Sequence, residues 1–211
     1  MAYDLEEQES IDQMKAWWEQ WGTPITAAVC VVCLGFAAWN GWNWYKRNMA
    51  AEAAGAYVQL QNAVYQNDVK NVESISNGLM DEYGSTVYAP MAALTSAASQ
   101  AQAGNFAGAE KRLRWVIESD FAEYDTVARV RLAGLLLNDK KFDEAMQILD
   151  AAKPADLQVA MVEDRRGDIF FAKQDYARAR DAWEKAVKAG TTGTTLSAVV
   201  TMKIGALPAA E

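Results

Sequence analysis

The amino-acid sequence predicts an all-α protein, a solenoid of helical hairpins preceded by one transmembrane helix. A ten-residue pattern occurs three times, and its aromatic positions Phe106, Phe142 and Tyr176 are 36 and then 34 residues apart. A fixed period in this range is typical of helical repeats, in which each unit buries its apolar face only against its neighbours. The second observation is a run without charged residues at positions 23–45.

The uncharged run has the length and the aromatic flanks of a membrane-spanning helix. About 22 helical residues cover roughly 33 Å, which is enough to cross the hydrocarbon core of a bilayer. Tryptophan rings settle at the headgroup layers, and tryptophans cluster at both ends of this run. We predict a retained anchor rather than a soluble core helix or a cleaved signal peptide, with space-filling roles for Cys30 and Cys33 rather than a redox pair. The predicted interface residues are Trp17, Trp18, Trp21, Trp39, Trp42 and Trp44.

An acidic segment with one apolar helical face precedes the span. Ile11, Met14 and Trp18 recur at helical spacing on that face. This pattern predicts a short helix on the membrane surface, with a docking helix for a membrane partner as the alternative. The predicted division of the chain is 1–22 for this segment, 23–45 for the transmembrane helix and 46–211 for the large domain.

The charges beside the span leave its orientation open. Lys15 precedes the span, whereas Lys46 and Arg47 follow it, so the positive-inside rule alone would place the large domain in the cytoplasm. The margin is a single charge, and long domains often cross a membrane regardless of such counts.

Beyond the span, an Ala-rich helix at residues 49–66 and a partner helix lead into three helix pairs. In each pair, a small residue of the first helix lies where the second helix crosses, an aromatic residue marks the turn, and an alanine precedes a large apolar residue. We predict packing roles for these positions, with the turn aromatics filling the junctions. In chain order they are Ala97, Phe106, Ala109 and Leu113, then Ala133, Phe142, Ala145 and Leu149, then Gly167, Tyr176, Ala179 and Trp183. A helix at residues 194–207, with Leu196, Val200, Ile204 and Leu207 on one face, is predicted to cap the array.

The inner surface formed by the first helix of each pair is the predicted binding site. Most of its residues are apolar, which favours a groove for hydrophobic segments. The carboxylates of Asp164 and Asp168 could orient a basic or polar group of a partner. The alternative is that the capping helix or a neighbouring turn fills the groove. The predicted groove residues are Met91, Leu94, Val127, Val130, Leu137, Asp164, Asp168 and Phe171.

Composition argues against catalysis and against nucleic-acid binding. The 211 residues carry a net charge of −8 without a basic stripe, so no nucleic-acid partner is expected. There is no histidine, and both cysteines lie in the uncharged run, so carboxylates are the remaining convenient acids and bases. Glu163, Asp164 and Asp168 lie close together with Arg165 and Arg166 among them, as on a solvated helix face. We predict a binding protein that is not an enzyme and needs no metal or cofactor.

The repeat residues resemble the tetratricopeptide repeat, a helix–turn–helix unit of 34 residues. The whole chain, including its order of segments, is similar to the YfgM family, the ancillary subunits of the bacterial SecYEG translocon. The residues that carry this similarity are Met14-Lys-Ala-Trp-Trp18, Trp39-Asn-Gly-Trp-Asn-Trp44, Asp164-Arg-Arg-Gly-Asp168, Ala177-Arg-Ala-Arg-Asp-Ala-Trp-Glu184 and Met202-Lys-Ile204.

This resemblance implies a bacterial inner-membrane protein with a cytoplasmic N-terminus, one span surrounded by membrane lipid, and a periplasmic domain. It also implies association with SecYEG and with the membrane-anchored periplasmic chaperone PpiD, and assistance to newly exported proteins. Direct contact with unfolded exported proteins is one form that this assistance could take. The alternative function is a membrane-tethered scaffold that assembles another envelope complex.

Overall fold

A computed structural model describes residues 2–190 and 194–208 of the chain, with side chains from residue 9 onward. Within these residues the secondary structure is α-helical, without strands. The chain divides into two compact units, Met1–Ala51 and Glu52–Glu211. The predicted all-α class is confirmed.

The first unit consists of the N-terminal part of helix α1 (Ala2–Tyr65). Its apolar side chains lie on the surface: Val31, Leu34 and Phe36 are 69%, 70% and 70% exposed. An 18-residue window within Glu9–Tyr65 has a mean hydropathy of 1.7, and only 6% of it is buried. The structure therefore contains a helix long and apolar enough to cross a membrane, and its apolar surface is not covered within the described part of this unit.

Helix α1 continues through Pro24 without a break. Proline removes one N–H donor and crowds the carbonyl four residues before it, so it usually kinks or ends a helix. Beside it, the hydroxyl of Thr26 donates a hydrogen bond to the carbonyl of Gly22. The prediction of a separate short helix before the span is therefore wrong, because that segment is the first part of α1.

The second unit contains the end of α1 and eight further helices among the described residues. The helices pack as hairpins, α3 with α4, α5 with α6 and α7 with α8, and the first helices of successive hairpins also contact each other. In chain order they are α2 (Val69–Glu82), α3 (Tyr88–Gln102), α4 (Phe106–Glu118), α5 (Ala122–Asn138), α6 (Phe142–Asp150), α7 (Asp156–Ala172), α8 (Tyr176–Ala189) and α9 (Thr195–Gly205).

The turns inside these hairpins share one backbone conformation. The first residue of the repeated pattern has a positive φ in each pair: 80° at Gly104, 59° at Lys140 and 60° at Gln174. Its N–H bonds to the carbonyl three residues earlier, and the next N–H bonds to the carbonyl five residues earlier. Such bonds satisfy carbonyls that the end of a helix leaves open.

The same turn joins α1 to α2, where the sequence pattern gave no signal. Asn67 has a φ of 53°, and the N–H groups of Asn67 and Asp68 bond to the carbonyls of Val64 and Ala63. Leu60 of α1 and Val72 of α2 pack in one buried cluster. The array therefore begins with a fourth hairpin, whose second helix starts with Val69 in place of an aromatic residue.

The small positions of the repeat are buried, as the sequence predicts. Ala97, Ala133 and Gly167 lie in the interior, and so do Ala109, Ala145 and Ala179 of the second helices. The turn aromatics differ from the prediction. Phe106 and Tyr176 are 48% and 39% exposed, and only Phe142 is partly buried against the core. Each aromatic is the first residue of its helix, and the exposed rings of Phe106 and Tyr176 do not fill the junctions.

Helix α9 caps the array through the residues that the sequence predicts. Val200 and Leu207 form a buried cluster with Ala179, Trp183 and Ala186 of α8. Leu196 and Ile204 pack against this cluster. The apolar end of the solenoid is therefore closed within the chain itself, and the predicted capping helix is confirmed.

Candidate functional site

The first helices of the hairpins line a groove on the inner side of the second unit. One cavity of about 400 Å³ lies against α3 and extends from the end of α1 to α5. A second cavity of about 300 Å³ lies among α3, α4, α5 and α7. Both are lined by Ala98 and Arg131, so they form one continuous surface that we call the inner groove.

The lining of the inner groove is small, polar and cationic. Arg131 and Arg165 are its only charged residues among those described, and α3 contributes no charged side chain. The other lining residues are Val64, Asn67, Val69, Leu94, Thr95, Ala97, Ala98, Ser99, Ala101, Gln102, Ala103, Leu113, Gly134, Leu135 and Asn138.

Of the apolar residues predicted for this groove, the structure places only Leu94 in its lining. Val130 is buried in the core, and Val127 and Leu137 pack against that core. Met91 is half-buried on α3, outside both cavities. The structure therefore does not bring the predicted residues together as one apolar surface.

Phe171, the last apolar residue of the predicted groove, lies at the closed end of the array. Its ring centroid is 5.7 Å from that of Tyr176 and 5.8 Å from that of Trp183. The side chain is 45% exposed and belongs to the packing of α7 on α8. It lines neither cavity of the inner groove.

Three residues that line the groove in the structure lie one position after a predicted residue. Arg131 lines the groove where Val130 was predicted, Asn138 where Leu137 was predicted, and Arg165 where Asp164 was predicted. Helical side chains lean toward the N-terminus, so a given surface point is covered by a residue about one position further along the chain. The absence of charge from α3 is the sequence signal that could have located this surface.

Asp164 and Asp168 are both engaged by α9. The Nζ of Lys203 donates to Asp164 at 2.6 Å and to Asp168 at 2.7 Å, and Arg165 lies 3.1 Å from the second oxygen of Asp168. The role of these two carboxylates in orienting a partner stays a prediction, and in the structure their partner is Lys203. The alternative prediction, in which the capping helix occupies this end, agrees with the contacts.

Burial and hydrogen bonding shift the pKa values of this ionic cluster. Burial raises the pKa of the Asp168 carboxyl above its ordinary value, against the lowering effect of the Lys203 hydrogen bond. For Lys203, burial lowers the pKa, but the hydrogen bonds to Asp164 and Asp168 outweigh it and hold the pKa above its ordinary value. The cluster lies where α9 meets α7.

The first unit presents a second candidate surface, formed by Ile11, Met14, Trp17 and Trp18. All four side chains are exposed, and together they line a shallow depression on α1. The Trp18 ring lies over Gly22, where an added Cβ would come within 3.0 Å of it. All six predicted interface tryptophans are at least half exposed. Their placement at a membrane interface stays a prediction.

Possible metal ligands are dispersed over the described residues. No group of three or more histidine, cysteine, aspartate or glutamate side chains forms in that part of the chain. Cys30 and Cys33 are both free and exposed on α1.

Fold and site together define a class: a helical-repeat protein whose N-terminal helix has the length and apolarity of a membrane span. The sequence model of the tetratricopeptide repeat-like domain family matches residues 15–209. The chain therefore belongs to this tetratricopeptide repeat-like family. No solved structure shows a significant match to it.

Similar proteins match the chain over most of their length and most of its own. A relative from Haemophilus influenzae, named ancillary SecYEG translocon subunit, is 28% identical over 90% of this chain and 93% of its own length. A protein of the same name from Neisseria gonorrhoeae is 27% identical over 98% of this chain and 100% of its own. The Escherichia coli protein of that name is 26% identical over 95% and 96%, respectively.

Proposed function

We propose that this protein is a non-enzymatic ancillary subunit of the bacterial SecYEG translocon. In this proposal α1 anchors the chain in the inner membrane, with a cytoplasmic N-terminus and the repeat unit in the periplasm. The observation that carries the proposal is the similarity to translocon subunits over nearly the whole of both chains. The exposed apolar surface of α1 supports membrane anchoring, because such a surface is stable in lipid.

The finer part of the proposal concerns partners in the periplasm. The repeat unit binds a PpiD-like membrane-anchored chaperone and assists newly exported proteins beside the translocon. The inner groove supports this part, because the described segments leave it open while α9 closes only the end of the array. Co-purification of the chaperone with the full chain, and slower export in cells without the chain, are the expected results.

Photocrosslinking in bacterial cells tests translocon association directly. A photoreactive phenylalanine replaces Trp18 or Trp42, two exposed aromatic residues of α1. We expect a crosslink to a translocon subunit, identified by mass spectrometry. The matched control places the same group at Glu184, on the exposed side of α8. Products from α1 that contain another envelope complex and no translocon subunit would favour the scaffold function.

Topology is tested by labelling a single introduced cysteine. Cys30 and Cys33 are replaced by serine, and Glu184→Cys supplies an exposed thiol on the repeat unit. A membrane-impermeant reagent added to spheroplasts should label this thiol without lysis. Labelling only after lysis would place the repeat unit in the cytoplasm and contradict the proposed orientation.

A further inference from the structure

We propose that the inner groove binds an extended polypeptide segment through an aspartate or glutamate side chain of that segment, held by Arg131 and Arg165. The inference rests on the proposed function only in treating the repeat unit as the partner-binding part. It names the chemistry that this surface recognises, which differs from the apolar segments expected from the sequence.

Arg131 supplies a cation with spare donors at the junction of the two cavities. Its Nη1 donates one hydrogen bond, to the carbonyl of Leu94 at 3.2 Å. The side chain is exposed, and it has no carboxylate partner within the described residues. A guanidinium carries five donors in a planar fork that matches a carboxylate. Most of these donors therefore remain available to an anion in the groove.

Arg165 brings a second guanidinium to the same wall of the groove. It lies against Gly134, where an added Cβ would be 3.2 Å from its Cζ. Residues three apart on a helix are surface neighbours, so Arg131 and Gly134 share one face of α5. Arg165 and Arg131 therefore line the same cavity. Its Nη1 is 3.1 Å from Asp168, and its buried Nε has no hydrogen-bond partner.

The surrounding charges favour an anion at this point. Two carboxylates, Asp164 and Asp168, balance two cations, Lys203 and Arg165, in the ionic cluster. Arg131 is the additional positive charge, and the other described lining residues are neutral. The groove centre is thus cationic in a chain of net charge −8. Two adjacent guanidinium groups repel each other, and a carboxylate between them relieves that repulsion.

The shape of the groove favours a backbone that passes through rather than ends there. The two cavities adjoin at Ala98, so a segment can extend on both sides of the arginines. Ala98 is exposed and has a small side chain, which lets a main chain approach α3 closely. The amides of Gln102 and Asn138 are in the lining, where they can pair with peptide groups.

Peptide display on the full chain in detergent micelles tests this proposal. Random 12-residue peptides are joined to phage through their C-termini, so that every carboxylate in the random region belongs to a side chain. We expect wild type to select peptides enriched in aspartate and glutamate, and Arg131→Gln/Arg165→Gln to lose that enrichment. Arg178→Gln is the matched control, because Arg178 is 63% exposed and pairs with Asp175 on α8.

Fluorescence anisotropy on the best selected peptide then measures the contribution of the carboxylate. Replacing its acidic residue by glutamine should weaken binding to wild type by about 10- to 100-fold, the effect of one or two charge-assisted hydrogen bonds. The same replacement should change binding to the double variant little. If the double variant loses helical circular dichroism, the single Arg131→Gln substitution provides the same comparison.

Selection of apolar peptides without acidic residues would overturn the proposal, and so would equal binding of the acidic and glutamine peptides. These measurements use purified components, whereas translocon association is measured by crosslinks from α1 in cells. A translocon crosslink without acidic selection would therefore leave the proposed function standing and refute the groove inference alone.

Discussion

The first and last pattern-bearing hairpins use a glycine in opposite ways. In α3–α4 the glycine is on the second helix: Gly108 faces Gln100, whose Oε1 would be 1.7 Å from an added Cβ. In α7–α8 it is on the first helix: Gly167 faces Trp183, whose Cδ1 would be 2.3 Å away. Both hairpins follow one repeat pattern. At the crossing, the point where the two helices of a hairpin approach most closely, the first hairpin has the polar side chain of Gln100 and the last has the aromatic ring of Trp183. The pattern thus fixes how closely the helices approach, and each hairpin fills the space with its own side chain.

The two crossings are also tied to different neighbours. Gln100 is 2% exposed, and it hydrogen-bonds to Ser96 at 3.4 Å and to Asn105 of its own turn at 3.1 Å. Trp183 donates to the carbonyl of Asp164 at 3.2 Å, and Lys203 of α9 lies 5.7 Å from its ring centroid. The first crossing is therefore linked to the turn within its hairpin, whereas the last is linked to the capping helix.

The largest expected effect comes from emptying the last crossing. Trp183→Ala should lower the free energy of unfolding by about 3–5 kcal/mol, because a large buried ring leaves a cavity. Urea unfolding of the full chain in detergent, followed by far-ultraviolet circular dichroism, measures the change. An unchanged unfolding curve would remove the packing role assigned to Trp183.

Filling the space under the same ring should have the next largest effect. Gly167→Ala should cost about 1–3 kcal/mol, because the new methyl group overlaps the indole ring. The matched control is Gly78→Ala in α2, where an added Cβ meets nothing within 4 Å. That control should instead stabilise the protein by about 0.5–1 kcal/mol, since alanine is the better helix former.

A double variant sharpens this comparison. Gly167→Ala with Trp183→Leu reproduces the residue types of the middle hairpin, which has Ala133 and Leu149 at these positions. We expect it to be more stable than Gly167→Ala alone, because the smaller chain makes room for the methyl group. Strictly additive losses would show that the two residues do not compete for the same space.

Filling the first crossing should cost less, because its occupant is flexible. Gly108→Ala should displace the Gln100 amide and weaken its bond to Asn105, at a cost of about 1–2 kcal/mol. Gln100→Ala in the same background should recover part of the loss in urea unfolding. A penalty as large as that of Gly167→Ala would show that Gln100 is held as rigidly as the tryptophan.

The smallest effect concerns the link between the last crossing and α9. Lys203→Met should cost about 1 kcal/mol at pH 8, since the lost hydrogen bonds are partly exposed to solvent. The folded-state pKa of Lys203 is raised, so its stabilising contribution is complete below its ordinary value of 10.5 and is lost as pH rises through the folded pKa. The difference from wild type should therefore shrink between pH 8 and pH 11.5, and a constant difference would contradict the ionic role.

Periodicity was sufficient to predict the hairpins, their small crossing residues and the capping helix. It predicted a partner helix after the end of α1 but not that the same turn joins the two, because Val69 occupies the aromatic position and Asn67 the left-handed one. A left-handed turn depends on backbone geometry that several residue types can adopt. The sequence likewise could not predict that Phe106 and Tyr176 are exposed, because burial at the start of a helix depends on how the next hairpin packs.

The sequence predicted which helices line the inner groove but not the chemistry of the side chains in its lining. Helical spacing correctly assigns it to the first helix of each pair, whereas a shift of one residue exchanges Val130 for Arg131 and Asp164 for Arg165. The role of Asp164 also depends on Lys203, a contact across 39 positions in sequence that periodicity does not encode.

The recurrent left-handed turn has a consequence for how the array can vary. Within the described residues, all four hairpin turns use the same two main-chain hydrogen bonds, although Gly, Lys, Gln or Asn occupies the left-handed position. Because main-chain bonds hold the turn, the way each hairpin folds back depends little on which side chains face inward. Exposed residues of the inner groove, such as Arg131, can therefore be exchanged without altering the turns, which separates what the protein recognises from how it is built.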